Sequence, residues 1–507
     1  MVYAWRVQIA VLRGREHECR EIRELLDGLA GGALLLHGEP GTGRSALLAY
    51  AQRQVGGRTI ALSESLSDAF LAREGLSAIL DPVTGVEEPL RTDPGADSRP
   101  EPGGLGGRFW RLWSASAVSN LADGIVKIAL PLVAVGLTTS PVLVAGVAAA
   151  FSLPWLLFAL PAGALVDRLD RRRVMLAANT LRVGLFGATA VAVALDAGSI
   201  WLLYLVAFGA GVAETLYDTS AQSILPQVVP REMLPRANGQ LHAVELAANQ
   251  FVGPPLAGFL VAGSAALALT GPAGLWALAV AALLLVGGRF RIERDAPTTL
   301  RADITEGLRF LRRHRLLRTL ATMVGGSNLI TSAIFAVLVL YAVGPDSAIG
   351  LTGPGYGLLL TTVAAGIVLG SLVAGRIEKL LGRARALGVS VVAMAAVVGV
   401  PALSTNPFVI GAVFFGGGIL LAAWNVITIS LRQRITPDRL LGRVNSSYRL
   451  LAWGSMPVGA LAGGLLAELF GLRAVFAIMG LLAFTLLFGM LQVTDANIDA
   501  AERGAAN

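Results

Sequence analysis

Ser116, Asn120, Asp123 and Lys127 follow one another at i, i+4, i+7 and i+11 inside an otherwise apolar stretch, so a helix would carry them as one polar stripe. An ionisable group at the centre of a membrane costs about 2.5 to 3.5 kcal/mol on insertion scales, so each faces a partner or an aqueous cavity. Two readings of Asp123 stand side by side. Asp123 and Lys127, at i,i+4, neutralise each other as a local ion pair, or Asp123 lines a cavity where it takes up a proton or touches a substrate. Glu214 and Asp218 form a second i,i+4 couple in another apolar stretch. His242, Glu245 and Arg449 lie within two turns of the ends of apolar stretches, where long side chains can reach the interface; Glu245 is kept as a further candidate for the cavity. Asn328 completes the set, because Ser327-Asn328-Leu329 repeats Ser119-Asn120-Leu121.

The elements that would position these groups are long and apolar. The 507 residues are 54% hydrophobic and 15% charged, outside the range of soluble domains. Twelve segments are long enough to cross a hydrocarbon core of about 30 Å as helices: 112–136, 142–163, 174–195, 200–220, 241–263, 274–288, 319–343, 356–374, 386–404, 408–429, 445–468 and 472–491. The sixth is the least well defined of them. The net charge of +7 suggests nucleic acid only for a soluble chain. Here the cations fall at alternate segment ends, among them Arg168 to Arg173, Arg231 and Arg236, Arg376 to Arg385 and Arg432 to Arg443. The loops near Thr139, Ala197, Ser264, Pro345 and Asn406 hold no Lys or Arg, and Arg473 is the exception. The bias puts both termini in the cytoplasm. Cys19 is the sole cysteine, which leaves no intrachain disulfide and no cysteine metal cluster, and Met1 to Arg13 does not read as a cleavable signal peptide.

Between the second and third segments the chain reads GALVDRLDRRR, from Gly163 to Arg173. This stretch resembles the motif A loop of the major facilitator superfamily, roughly G-x-x-x-D-R-x-G-R-R, with Gly163, Asp167, Arg168, Arg171 and Arg172 matching and Asp170 standing for the second glycine. Gly253-Pro254-Pro255 and Gly258 on the fifth segment resemble the same superfamily's motif C, with Ala257 in a glycine's place; the prolines suggest a bend that acts as a hinge. With the loop PREMLPRANG, the chain over about residues 108–493 is similar to exporters of the macrolide-efflux and enterobactin-exporter type. The resemblance implies an all-α membrane protein of that fold, with twelve transmembrane helices in two six-helix halves. It places helix four beside helix one, with Glu214 near Asp123 and Asp218 beside the motif A arginines as part of a cytoplasmic gate. The helix-four arginine of many drug antiporters is absent from YLVAFGAGVAETLYD.

An internal repeat supports two halves. Pro230, Leu234, Arg236 and Asn238 recur as Pro437, Leu441, Arg443 and Asn445, and Gly163 recurs as Gly370, the near-constant offset of parallel repeats. The expected organisation is a half at 108–290, a connector at 291–316, a half at 317–493 and a cytoplasmic tail at 494–507. In the connector Leu300, Ile304, Leu308 and Leu311 share a face against several arginines, a pattern that fits either a plain link or a helix lying on an anionic membrane surface.

Ahead of these, Gly38 to Ser45 reads GEPGTGRS between an apolar run and a helical stretch, the context of a phosphate-binding loop. Gly38, Gly43 and Ser45 hold their places, while Arg44 stands where the lysine belongs. Residues 10–80 resemble the start of the ATPase domain of large LuxR-family regulators, which implies a small α/β fragment over 1–81. No apolar run ends in the acidic pair that would hold magnesium, so a working ATPase, a binding remnant and a fragment without function remain as readings. A flexible linker spans 82–107. The expectation for the whole chain is a transporter rather than an enzyme. It would be a monomer in a bacterial cytoplasmic membrane that exports a small amphipathic molecule, drug-like or siderophore-like, against proton entry, with no cofactor, metal or nucleic-acid partner. An importer or uncoupled facilitator, and a membrane-tethered nucleotide-sensing regulator, are the alternatives.

Overall fold

The computed structural model describes residues 105–506, apart from 231–232, 289, 291–299 and 344–346. The phosphate-loop residues Gly38, Gly43, Arg44 and Ser45 lie outside the described residues, as do the expected α/β fragment and most of the linker.

Every regular element among the described residues is helical. The first half comprises α1 (Gly106–Leu137), α2 (Pro141–Arg168), α3 (Arg171–Ala194), α4 (Ile200–Ile224), α5 (Leu234–Leu246), α6 (Gly253–Gly263) and α7 (Ala265–Leu284). A connector helix α8 (Leu300–Arg313) leads to α9 (Arg315–Ala342), α10 (Gly353–Leu381), α11 (Arg383–Leu403), α12 (Pro407–Ile435), α13 (Asp438–Phe470), α14 (Leu472–Thr485) and the single turn α15 (Leu487–Met490), and α16 (Asp495–Ala506) ends the chain. Eleven of the helices, α14 and α15 counted together, are long and apolar enough to cross a membrane. The remaining crossing is divided: α5 and α6 are joined by a π-helical turn, Ala247–Val252, so that 234–263 is one continuous but irregular helix.

The boundaries follow local chemistry. Ser140, Ser199, Ser264 and Asn406 occupy the short cation-free loops and each accepts a hydrogen bond from the first turn of α2, α4, α7 and α12, satisfying orphan backbone donors. Ser264 also explains why the sixth crossing begins at Ala265 rather than near 274: Pro272 sits inside α7, as proline does where neighbouring helices satisfy the freed backbone.

Glycines set the close approaches. Gly366 and Gly418 bring α10 onto α12, and Gly459 and Gly463 bring α13 onto Leu329 and Ala333 of α9. The two halves meet at the end bearing the cation-free loops. There Gly464 of α13 packs on Val142 and Ala145 of α2, Gly258 of α6 packs on Gly353 of α10, and the Ser140 hydroxyl donates to Glu468.

Two segments are bound more firmly than their sequences suggest. α8 packs along α13 rather than standing free as a surface helix: Gly307 lies on the Arg443 backbone, Glu306 pairs with Arg443, and Leu311 is buried. In the tail, α16 buries Ile498 and holds Arg383 through Asp499 and Glu502 at 2.5 and 2.8 Å, while Asp495 accepts from the Ala384 amide.

Candidate functional site

Asp123, 3% exposed on α1, does not pair with Lys127. Its partner is Arg182 of α3, at 3.2 Å and fully buried, and Lys127 instead meets Glu214 of α4 at 2.9 Å. The i,i+4 reading fails because helix packing offers each charge a better-desolvated partner on a neighbouring helix than the next turn of its own. The Arg182 guanidinium lies over the rings of Tyr217 and Trp276, 5.6 and 5.2 Å from their centres, contacts that gain strength when desolvated. It also donates to Asn179, whose side-chain oxygen accepts from Ser119 as well.

A polar chain ties this cluster to the divided helix. Lys127 donates to the Asn249 side chain at 3.3 Å, Asn249 donates to Asn120 at 2.8 Å, and Asn120 donates to the Ser116 carbonyl at 2.8 Å. Asn249 belongs to the π turn, and Gly124 of α1 touches the backbone of that turn so closely that a Cβ there would lie 2.7 Å from Asn249. The extra residue of the turn is what aims Asn249 at α1.

The cluster borders a cavity of about 630 Å³ between the halves. Asn120, Lys127, Glu214, Asp218, Glu245 and Asn249 line one side; Phe335, Tyr356, Trp453 and Met456 line the other. All the charge therefore comes from the first half. Trp155 and Trp453 meet edge to face at 4.3 Å across the cavity wall, with the Arg449 guanidinium 4.3 Å from the Trp453 ring centre and hydrogen-bonded to Gln222. His242 lies 3.6 Å from Glu245.

Other expected residues fall elsewhere. Asn328 does not line the central cavity; its amide donates to the Ala452 carbonyl at 2.6 Å, and it borders a separate cavity inside the second half. Asp218, expected beside the loop arginines, lines the central cavity, with Lys127, Arg182 and Glu214 in electrostatic reach. Arg172 instead donates to the Leu283 and Leu284 carbonyls at 2.9 Å, and Arg171 to that of Phe290 at 3.2 Å. Arg172 so placed satisfies free carbonyls at the end of α7 and meets the negative end of its dipole. Asp170, in the motif's glycine position, caps α3 and accepts from the Phe290 amide. The side chains of Asp167 and Arg168 lie outside the described part of the structure, and a Cβ on Gly163 would meet no atom within 4 Å. Gly253 lies against the Gly124 backbone, and Pro254 against Gly357.

Residues 106–506 match the family of transmembrane secretion effectors of the major facilitator type. The chain belongs to the major facilitator superfamily. Among relatives of this transporter, the multidrug efflux pump Tap of Mycobacterium tuberculosis is 29% identical over 392 residues, covering 72% of this chain and 88% of that one. The macrolide efflux protein A of Streptococcus pyogenes is 22% identical over 387 residues, covering 74% and 93%. In fold, this facilitator is similar to the nucleoside transporter NupG (TM-score 0.60, 14% identity, 76% of this chain and 98% of that one). It is also similar to a bacterial homologue of the iron transporter ferroportin in an inward-facing state (TM-score 0.61, 16% identity, 76% and 98%).

The sequence reading missed Arg182. The rule that singled out Asp123, an ionisable residue inside an apolar span, applies equally to it. Asn179, Asn249 and Trp276 carried no comparable signal, since their roles depend on which helices touch.

Proposed function

We propose that this transporter exports a small amphipathic molecule from the cytoplasm in exchange for protons, through alternating access to the central cavity. The observation that carries the reading is an imbalance of charge at the cavity. Asp123, Glu214, Asp218 and Glu245 contribute four carboxylates against three cations in their electrostatic reach, Lys127, Arg182 and Arg449, which leaves one acid in excess. A surplus carboxylate beside low-dielectric walls is stabilised by a proton or by a cationic group of the substrate, and competition between the two couples their movements. Proton uptake at Asp123 would release Arg182, whose charge can then turn to Glu214 or Asp218. The aromatic and methionine wall opposite would hold the apolar part of the molecule.

The direction is supported by the relatives named above, which are efflux proteins. The arginine bias makes the cation-free end the outer face of a bacterial cytoplasmic membrane, with both termini inside. One proton moving inward down 100 mV gains about 2.3 kcal/mol, which at 1.36 kcal/mol per decade sustains roughly a 50-fold gradient of a neutral substrate. A single copy holds the whole cavity between its two halves, so a monomer suffices.

Flux in proteoliposomes, with and without an imposed pH difference, tests the reading. Asp123→Asn is expected to abolish accumulation against a gradient while still allowing downhill equilibration, and Glu214→Gln to give a milder defect. Uphill pumping by Asp123→Asn at the wild-type rate would move coupling away from Asp123, and flux indifferent to the pH difference in the wild type would favour an uncoupled facilitator.

A further inference from the structure

The second half holds a cavity of its own, about 320 Å³, lined mainly by α9, α10, α11 and α12. It shares Ser332, Phe335, Val363 and Met456 with the wall of the central cavity. The internal repeat gives its place a meaning. Asn120 and Asn328 align at an offset of 208, so Asp123 and Lys127 correspond to Thr331 and Phe335. α4 and α12 begin at Ile200 and Pro407, an offset of 207, so Glu214 and Asp218 correspond to Leu421 and Asn425. All four counterparts line this cavity. The interior that the first half fills with ion pairs is, in the second half, an open space from which every charge has been exchanged for a neutral group.

The walls say what fits there. None of the lining residues is charged, so the walls offer an ionised group no counter-ion and favour a neutral one. Met323, Met394 and Met456 give a deformable, polarizable surface. Three polar groups on the lining have no hydrogen-bond partner among the described residues: the Asn425 amide, the Ser332 hydroxyl and the Trp424 indole N–H. Each can donate to a ligand acceptor that reaches it. The volume is at the small end of ligand sites.

We infer that the second half carries a separate binding site for an uncharged, lipophilic molecule, or an uncharged part of one, that presents an acceptor oxygen to Asn425, Ser332 and Trp424. The site is independent of proton coupling and of transport direction. Binding alone therefore tests it, whatever the fate of the export reading.

The probe is tritiated triphenylphosphine oxide, neutral, with three apolar rings and one strong acceptor oxygen, measured by equilibrium dialysis against the full chain in lipid nanodiscs, with empty nanodiscs as background. Saturable binding is expected. Asn425→Leu, which keeps the volume and removes the donor, should weaken it roughly tenfold, the equivalent of one lost hydrogen bond. Met394→Trp, which fills the cavity, should do at least as much, and Ala148→Phe, which narrows only the central cavity, should bind within about twofold of wild type. If the bulkier variant fails to fold by size exclusion, Asn425→Leu and the near-isosteric Ser332→Ala decide the matter. No saturable binding above empty nanodiscs, affinity indifferent to Asn425→Leu, or loss of binding in Ala148→Phe would each overturn the assignment, the last by placing the probe in the central cavity.

Discussion

The pairing of Asp123 with Arg182 sets the physical problem that the rest of the first half solves. Both side chains are buried, so removing the acid leaves Arg182 charged and forced to seek Glu214 or Asp218 instead, a loss of up to about 3 to 5 kcal/mol in comparable buried pairs, whereas removing both is milder. Asp123→Asn alone is therefore expected to lower the thermal midpoint in detergent more than the double variant Asp123→Asn with Arg182→Gln. Equal midpoints for the single variant and the wild type would mean that the pair is not ionised in the folded protein. At this scale the sequence is partly legible. Asp123, Lys127 and Glu214 announce themselves as charges inside apolar segments, yet their partners do not, because an i,i+4 neighbour is visible in the sequence and a neighbour on another helix is not. Whether Lys127 meets Asp123 or Glu214 depends on the rotation of α1 against α4, which many apolar contacts decide together.

Among the elements, the divided helix formed by α5, the π turn and α6 does the most to shape the site. Its glycines and prolines stand out in the sequence and suggest a bend. The π turn does not, since one extra residue in a helical run leaves no compositional mark and is selected by the close approach of Gly124 to Ala248 and Asn249. Beyond the turn, Gly258 seats α6 on Gly353, and a Cβ there would overlap the Gly353 carbonyl. Gly258→Val is therefore expected to keep the cation-free end from closing. In a background lacking Cys19, a cysteine replacing Ala336 in the central cavity should then react with an impermeant thiol reagent from outside the cell, at least several-fold faster than without the valine, and transport should fall. Unchanged labelling would show that α6 and α10 can separate without cost. Helix starts were better marked, because Ser140, Ser199, Ser264 and Asn406 cap their helices by the short-range chemistry that makes such residues common at those positions.

For the whole molecule the arginine pattern carries an orientation that labelling can check. With Cys19 removed, single cysteines at Thr139, Ala348 and Thr405 should react with an impermeant reagent added outside intact cells, and one at Arg173 should react only after permeabilisation; these positions are solvent-accessible. The reverse result would turn the transporter over in the membrane and with it the export reading. The matched family region begins at residue 106, and all cavity-lining residues lie beyond it. Deleting residues 1–100 is therefore expected to leave insertion and flux within about twofold of the full chain, at matched expression. A transport-dead truncation that still inserts would assign the phosphate-loop segment a working part in the cycle.

The sequence by itself determined the class of this protein: a chain of apolar segments of membrane length, cations on alternate loops, a repeat near 207 residues and a GALVDRLDRRR turn. These features are set by composition and spacing, because hydrocarbon penalises exposed charge and unsatisfied backbone wherever the helices go. The tertiary structure decided what spacing does not encode. It chose Arg182 for Asp123 and Glu214 for Lys127, laid α8 on α13 and α16 on Arg383, set Asp218 on the cavity wall, and left the second half hollow where the first is filled with charge. Those outcomes rest on helix rotation and glycine-gated approach, sums of many weak contacts in which no single residue type carries the signal.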